Sequence, residues 1–234
     1  MAQLQRTSSL LVAIVILAGV PTPVWFAHAQ STGADPEINR SYEHPDYQQW
    51  VARFERPGRE VYDKRHEIVA ATGVRSGMVV ADIGAGTGLF TRLFSPLVGA
   101  SGKVIAVDIS RVFIDNILRA AREQGLNNVE GIVNTQTDTL LPVESIDLAF
   151  LSDTYHHFEQ PLSMMKSIHR ALRPGGTLVV IDFQKHNHSS AWIKDHVRAG
   201  GQTVVEEIGA AGFEPKGKEK LLHDNYFLRF ARQK

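Results

Sequence analysis

The sequence predicts an α/β fold, a doubly wound and mainly parallel sheet with helices on both faces. Two observations carry that reading. Between residues 78 and 183, short apolar runs suited to strands alternate with amphipathic helical stretches, with little chain to spare. Strands separated by helices of that length assemble into parallel sheets through right-handed crossovers. The first run, "VVADIGAGTGLF" at 79–90, ends in an acid and breaks into alternating glycines before an apolar helix, and such sheets bind ligands at that kind of strand end. With 43% hydrophobic and 21% charged residues over 234 positions, one core of this type accounts for the chain.

An N-terminal helical segment precedes the sheet. In "DYQQWVARFE", Tyr47, Trp50, Val51 and Phe54 fall at helical spacing before Pro57-Gly58 breaks the run. A second helix is expected over about 59–72, with Val61, Ile68 and Val69 on one side and Gly73 as its stop. "MVVADI" is the first strand and "LFTRLFSPLV" the helix after it. "KVIAVDI" is the second strand, followed by a helix capped by Ser110, with Phe113 and Ile117 on its apolar side and Gly125 at its end. "VEGIV" and "IDLAFL" read as the third and fourth strands, short runs suited to a sheet covered on both faces. Pro161 opens a helix striped by Leu162, Met165, Ile168 and Leu172 and closed by "RPGG". "TLVVIDF" is the fifth strand. A helix near 203–211 leads to a last pair of strands near 213–220 and 225–231.

The glycine turn narrows the ligand. Gly84, Gly86 and Gly88 lack a Cβ, so the backbone can touch a ligand there, and the next helix offers free N–H groups. A dinucleotide fingerprint, G-x-G-x-x-G, needs its third glycine at position 89, where Leu89 stands. Asp82 just ahead is awkward beside a pyrophosphate and suits a cation, which favours the ammonium and sulfonium of S-adenosylmethionine. Asp108, 20 residues past Gly88, can accept hydrogen bonds from ribose hydroxyls in either cofactor.

Composition excludes several classes. Lysine plus arginine balances aspartate plus glutamate at 25 each, so no global positive charge points to nucleic acid. The absence of cysteine removes disulfides, cysteine–zinc sites and thiolate nucleophiles. At the N-terminus, Arg6, the apolar run Leu10 to Val20 and Ala27-His28-Ala29 have the layout of a secretory signal, so 1–29 is expected to be cleaved and the mature chain to start at Gln30. Export to the periplasm or medium follows, with no stable membrane association afterwards; an uncleaved anchor extended through Trp25 and Phe26 is the alternative. Residues 30–45, polar and rich in turn formers, are expected to form a flexible tether.

The pieces "VADIGAGTG", "VIAVDIS", "LLPVESIDLAFLSDTYHHF" and "HRALRPGGTLVVIDF" occur in order, and over residues 78–183 the chain resembles the class I S-adenosylmethionine-dependent methyltransferases of small-molecule type. The resemblance implies a Rossmann-like, seven-stranded sheet with an antiparallel last strand, matched by "NYFLRFARQ", in a methyltransferase domain of 78–234, and an N-terminal helical lid of 46–77. It also implies an enzyme that uses S-adenosylmethionine. Asp82, Gly84, Ala85, Gly86 and Gly88 would line its methionine and ribose, Asp108 would hold the ribose, and Ile109 would pack on adenine. Backbone at Ser152 and Asp153 would face the methionine end. Where many relatives place an Asp for the adenine amino group, counting back from Leu141-Pro142 puts Thr137, and a one-residue slip would put Asp138.

The reaction centre is expected beyond the fourth strand, in "SDTYHHFEQP". Methyl transfer from a sulfonium mainly needs alignment and exclusion of water, and a protonated acceptor also needs a base. His157 is the first candidate because the neighbouring Phe158 offers an apolar wall that would keep it neutral; His156 is the second. Tyr155 would act or wall the pocket. Asp153 and Asp182 fall roughly where catechol-type relatives hold a metal, with His186 and His188 following, but Phe183 replaces the adjacent Asn ligand, surface histidines in a polar loop explain 186–188, and no metal is expected. The arginines and acids of "RFERPGREVYDKR" read as a solvated face of i,i+4 pairs, or as a source of one arginine for an anionic acceptor. The reading is therefore a methyltransferase acting on an oxygen, nitrogen or carbon nucleophile of a small molecule. A non-catalytic S-adenosylmethionine-binding module and a protein side-chain methyltransferase are the alternatives.

Overall fold

The computed structural model describes residues 33–233, so the expected signal segment and residues 30–32 of the tether lie outside the described residues. β1 (Val79–Ile83), β2 (Lys103–Asp108), β3 (Val129–Val133), β4 (Ile146–Ser152), β5 (Leu172–Phe183), β6 (Phe213–Glu219) and β7 (Asn225–Arg232) form one sheet. The order is β3-β2-β1-β4-β5-β7-β6. β1 to β5 run parallel, β7 pairs antiparallel with β5, and β6 pairs antiparallel with β7. The order reverses between β1 and β4, where a crevice opens beyond the carboxyl ends of the strands.

The helices are α1 (Tyr47–Phe54), α2 (Glu60–Asp63), α3 (Arg65–Thr72), α4 (Leu89–Val98), α5 (Arg111–Glu123), α6 (Pro161–Ala171), α7 (Ala191–His196) and α8 (Gly201–Ala210). Successive strand side chains point to opposite faces, and the packing follows that alternation. Val80, Leu148, Phe150, Val179 and Ile181 pack with α3 and α4 through Ile68, Phe90 and Phe94. Ala81, Ile83, Ala149, Leu151 and Val180 share the other core with Met165 and Ile168 of α6 and Val204 and Ile208 of α8. Being covered on both faces, the central strands read in sequence as continuous apolar runs.

Four local expectations are corrected. The helix expected over 59–72 is two pieces meeting at Lys64, which holds a bridge-region backbone (φ −93°, ψ 8°). Ser110 occupies the N-cap of α5, but its hydroxyl makes no capping bond; its N–H donates to Asp108 Oδ1 instead. "RPGG" does not close α6 in a turn. It lies inside β5, where Leu172 pairs with Ile146 and Thr177 with Leu148, so the longer β5 segment bulges out between them. The supposed tether is docked from residue 33: Ala34 N–H donates to Phe158 O at 2.9 Å, and Pro36–Tyr42 form a 3-10 helix whose N-cap Asp35 accepts from Glu37 N–H. Its aromatic and amide side chains find buried partners, which turn-forming composition does not reveal.

No helix among the described residues is long and apolar enough to cross a membrane. Phe150 on β4 sits at ring-centroid distances of 4.7 Å from Phe90 and 5.1 Å from Phe94, with none of its surface exposed. Phe150→Ala is expected to destabilise the fold by about 3–5 kcal/mol, seen as a lower urea midpoint at unchanged m-value; a loss under 1 kcal/mol would show that this face repacks.

Candidate functional site

A cavity of about 620 Å³ opens at the carboxyl edge of β1, β2, β4 and β5. Its floor is the glycine turn after β1. Gly84 has a left-handed backbone (φ 71°), and a Cβ there would stand 2.2 Å from Thr154 Cγ2, so this position fixes how closely the loop after β4 can approach. Gly86 N–H donates to Asp108 Oδ2 at 2.8 Å, and Ser110 N–H holds the other oxygen at the same distance. Each carboxylate oxygen keeps a lone pair for a ligand hydroxyl. Asp82 accepts from Thr91 Oγ1 at 2.6 Å. Burial pushes the carboxyls of Asp82 and Asp108 up to about 6.

Ala85, Ile109, Ser152 and Asp153 join Asp82, Gly84, Gly86 and Asp108 in the cavity wall. Ile109 is a large apolar side chain left 43% exposed there. Ser152 Oγ is buried without a hydrogen-bond partner in the protein, in a residue that lines the cavity. Gly88 (φ 78°) starts α4 and packs against Ile117, outside the wall. Thr137 also lies outside it. Thr135 closes a turn on Asp138 that throws Thr137 outward, and Asp138 is taken by Leu140 N–H, Ser167 and Arg170. Gln136 and Asn134 line the cavity instead, on the alternate side of the same extended segment.

The loop after β4 turns through Asp153 (φ 49°) into a short 3-10 turn, Tyr155–His157. That turn separates the three expected catalytic residues. Tyr155 points away from the cavity; its hydroxyl donates to Glu207 Oε2 at 2.7 Å, and burial followed by Glu207 raises its pKa. His156 and His157 both line the cavity. His156 Nδ1 lies 2.7 Å from Asp182 Oδ1, and its backbone N–H donates to Asp182 Oδ2 at 3.0 Å. Burial works against its imidazolium, the Asp182 carboxylate outweighs that, and the pKa is raised. His157 is pushed down to about 2 by burial, then by His156, His196 and Arg53. Its Nδ1 lies 2.9 Å from Asn39 Oδ1. Asn39 donates its amide hydrogens to His157 O and Glu159 Oε1, so that oxygen can only accept, which puts the His157 proton on Nδ1 and leaves Nε2 with a lone pair.

The N-terminal helices roof this cavity, and their charges do not form the expected solvated i,i+4 pairs. Arg59 bonds Asp153 at 2.5 Å, Glu55 takes Arg92 of α4 through both oxygens, and Glu60 accepts from the backbone of His223, Asp224 and Asn225. Asp153 also accepts from Asn225 Nδ2 at 2.7 Å, and burial still raises its pKa against the pull of Arg59. Tyr47 donates to Thr87 O in the glycine turn. Tyr42, stacked on Trp50 with centroids 4.6 Å apart, faces the edge of His157.

Sequence reasoning missed Asn39, Tyr42, Trp192 and His196 as wall residues. The last two ride on α7, whose N-cap Ser190 accepts from Ile193 N–H. A serine cap before a tryptophan and a histidine four residues apart was the available signal. His186 and His188 lie in the loop before α7 and do not reach the cavity.

A family model described as a methyltransferase domain matches residues 81–180. The chain is 38% identical over 122 residues to the ubiquinone/menaquinone biosynthesis C-methyltransferase UbiE of Pasteurella multocida, which covers 50% of this chain and 44% of that one. It spans about half the length of the curated relatives it matches. Among solved structures, a SAM-dependent methyltransferase from Aquifex aeolicus gives a TM-score of 0.71 at 23% identity, covering 80% of this chain and 99% of that one. The Burkholderia thailandensis 1,6-didemethyltoxoflavin-N1-methyltransferase, solved with 1,6-didemethyltoxoflavin and S-adenosylhomocysteine bound, gives 0.59 at 18% identity over 86% and 92%. Both likenesses concern the fold.

Asp82 and Asp108 hold their protons to about pH 6 when folded, against 3.8 for the ordinary group. Between those values the unfolded chain binds fewer protons than the folded one, so stability falls as pH rises from about 4 to about 6. Asp108→Asn should flatten part of that fall in unfolding midpoints taken across the range; an unchanged slope would remove Asp108 as a source.

Proposed function

Because the chain belongs to the class I S-adenosylmethionine-dependent methyltransferases, we propose that it transfers a methyl group from S-adenosylmethionine to an oxygen, nitrogen or carbon nucleophile of a small molecule. The observation that carries this reading is one cavity with two chemically distinct ends. Asp82, Gly86 and Asp108 form an end suited to a cationic nucleoside, and the imidazoles of His156 and His157 form the other. When bound, S-adenosylmethionine supplies a methyl group on a positively charged sulfur. The Ser152 hydroxyl and the Asp82 carboxylate would receive its polar methionine end, Asp108 its ribose and Ile109 the face of its adenine. The acceptor atom forms its bond to the methyl carbon as the sulfur–methyl bond breaks, and the electron pair stays on sulfur. An O–H or N–H acceptor also releases a proton, next to the histidines.

The roof favours a small acceptor over a protein side chain. α1 and the 3-10 helix at Pro36–Tyr42 cover the cavity, and Arg59, Glu60 and Tyr47 tie the roof to the sheet edge, so we infer that the N-terminal segment is the lid. Arg53, lying over Trp50 in the wall, has no carboxylate partner among the described residues and suits an acceptor carrying negative charge. Export is proposed on the sequence of residues 1–29 alone. N-terminal sequencing after bacterial expression should find Gln30 first, in material outside the cytoplasm; intact Met1 on a cytosolic product would refute it.

Calorimetry should show S-adenosylhomocysteine binding and no NAD binding. Asp108→Ala removes charge-assisted hydrogen bonds of about 1.5–3 kcal/mol, an affinity loss of about tenfold to a hundredfold. Equal affinity in the variant would sink the ribose assignment. With labelled methyl donor and a panel of phenols, enols, amines and acids, His156→Ala and His157→Ala should each lose about 10²–10⁴ in turnover while keeping S-adenosylhomocysteine affinity. Label appearing in protein, or nowhere, would overturn the small-molecule reading.

A further inference from the structure

His196 of α7 completes a group of three imidazoles with His156 and His157. Each ring offers one nitrogen, and these nitrogens lie within 4.8 Å of one another at the acceptor end of the cavity. From this geometry we propose that His156, His157 and His196 form a binding site for a first-row divalent transition metal, Zn²⁺ or Co²⁺ in preference to Mg²⁺. Its role toward the acceptor rests on the methyl-transfer reading; the site itself does not.

The second observation is what lies behind the rings. Histidines that bind metals characteristically give their other ring nitrogen to a carboxylate or carbonyl, which fixes ring and tautomer. His156 Nδ1 is held by Asp182 Oδ1 and His157 Nδ1 by Asn39 Oδ1. Those two partners come from distant parts of the chain, the end of β5 and the docked N-terminal segment. The bond to Asn39 leaves Nε2 of His157 with a lone pair for an ion, and at His156, whose charged form Asp182 favours, an ion would bind at Nε2 by displacing its proton. His196 is steadied differently, stacked on Trp192 with ring centroids 4.5 Å apart. His156 and His157 lie 4.1 Å apart by centroid, and His196 is 5.2 Å from each.

Three imidazoles with the fourth position open to the cavity are a known donor set for zinc. A tetrahedral site places its nitrogens about 3.4 Å apart. Rotation of His196, which is half-buried and sits on a six-residue helix, is the movement that would bring the three to that spacing. Imidazole donors without a carboxylate among them select zinc, cobalt, nickel or iron over magnesium and calcium. Arg53 and Trp192 line the same cavity as the three rings, so the acceptor class that fits beside a bound ion is a phenol, enol or similar oxygen acid, bound as its anion.

The untagged full chain, stripped with a chelator and titrated with Zn²⁺ alone in a calorimeter, should bind one equivalent. The Co²⁺ form should show the strong visible absorption of a nitrogen-ligated four- or five-coordinate ion. His157→Ala and His196→Ala should each weaken Zn²⁺ binding more than tenfold, and His186→Ala, outside the cluster, should leave it unchanged. Asn39→Ala, acting through the orientation of His157, should weaken it by about tenfold to a hundredfold. S-adenosylhomocysteine affinity, measured on each variant, reports that the fold is intact; His196→Gln serves if the alanine variant loses it. No stoichiometric Zn²⁺ binding, or binding kept within tenfold in both cluster variants, overturns the site. Zn²⁺ binding lost as expected in a protein that methylates nothing overturns the proposed function and leaves the site standing.

Discussion

Four aspartates meet at one edge of the sheet, and most of what surrounds the cavity exists to accommodate them. Asp82 and Asp108 lie in β1 and β2, Asp153 follows β4, and Asp182 is the penultimate residue of β5; the first two and Asp182 are at most 6% exposed. An ionised carboxylate taken out of water costs several kcal/mol unless it is hydrogen-bonded or paired. Each of the four is met differently. Asp108 takes two backbone N–H groups, Asp82 one threonine hydroxyl, Asp153 an arginine and an amide, and Asp182 a histidine and backbone N–H groups. The partners decide the chemistry of each position. Neutral donors leave Asp82 and Asp108 with raised pKa values, whereas Asp182 drives its partner His156 toward the charged form.

The N-terminal segment takes its place from the same constraint. Arg59 reaches Asp153 from the start of α2, and the carboxylate of Glu60, the next residue, accepts from three backbone N–H groups where the chain enters β7. Two adjacent residues of opposite charge therefore bind opposite partners on the sheet edge, which fixes the helix entering between them. Ordering residues 33–72 has an entropic cost of about 1–2 kcal/mol per residue in the backbone alone. Surface ion pairs contribute too little to offset it. The half-buried pairs Arg59–Asp153 and Arg92–Glu55 and the Tyr42–Trp50–Phe54 stack supply more, since they are shielded from water.

The sheet was legible in the sequence because burial on both faces writes itself as apolar runs, and β3 and α4 fall on the predicted residues without adjustment. The place of the glycine turn and of Asp108 in the cavity wall was legible because it is set by residues close in sequence. What stayed hidden depends on distant pairing or on a local turn. Asn39 is 118 residues from the His157 it holds, and no spacing rule connects them. Tyr155 was misplaced because a 3-10 turn advances about 120° per residue, sending neighbours to different sides. Thr137 was misplaced because counting back from Pro142 cannot see the Thr135–Asp138 turn, although the alternation of Asn134 and Gln136 with Thr135 and Thr137 held the answer. α7 was missed because six residues are too few for a periodic signal.

Burial is what raises the pKa values of Asp82 and Asp108. A ligand carrying an ammonium and a sulfonium beside Asp82 favours the ionised carboxylate, opposing the burial that now raises its pKa. Binding at a pH near 6 would then release protons from this end of the cavity, and affinity would climb with pH until both carboxyls are ionised. At the other end the balance runs the opposite way. Arg53 and three imidazoles face one another with Asp182 as a direct anionic partner of His156. An anionic ligand would lower the electrostatic energy there, much as a cationic one would beside Asp82. The two ends thus suit ligands of opposite charge, at the edge of the sheet where the strand order reverses.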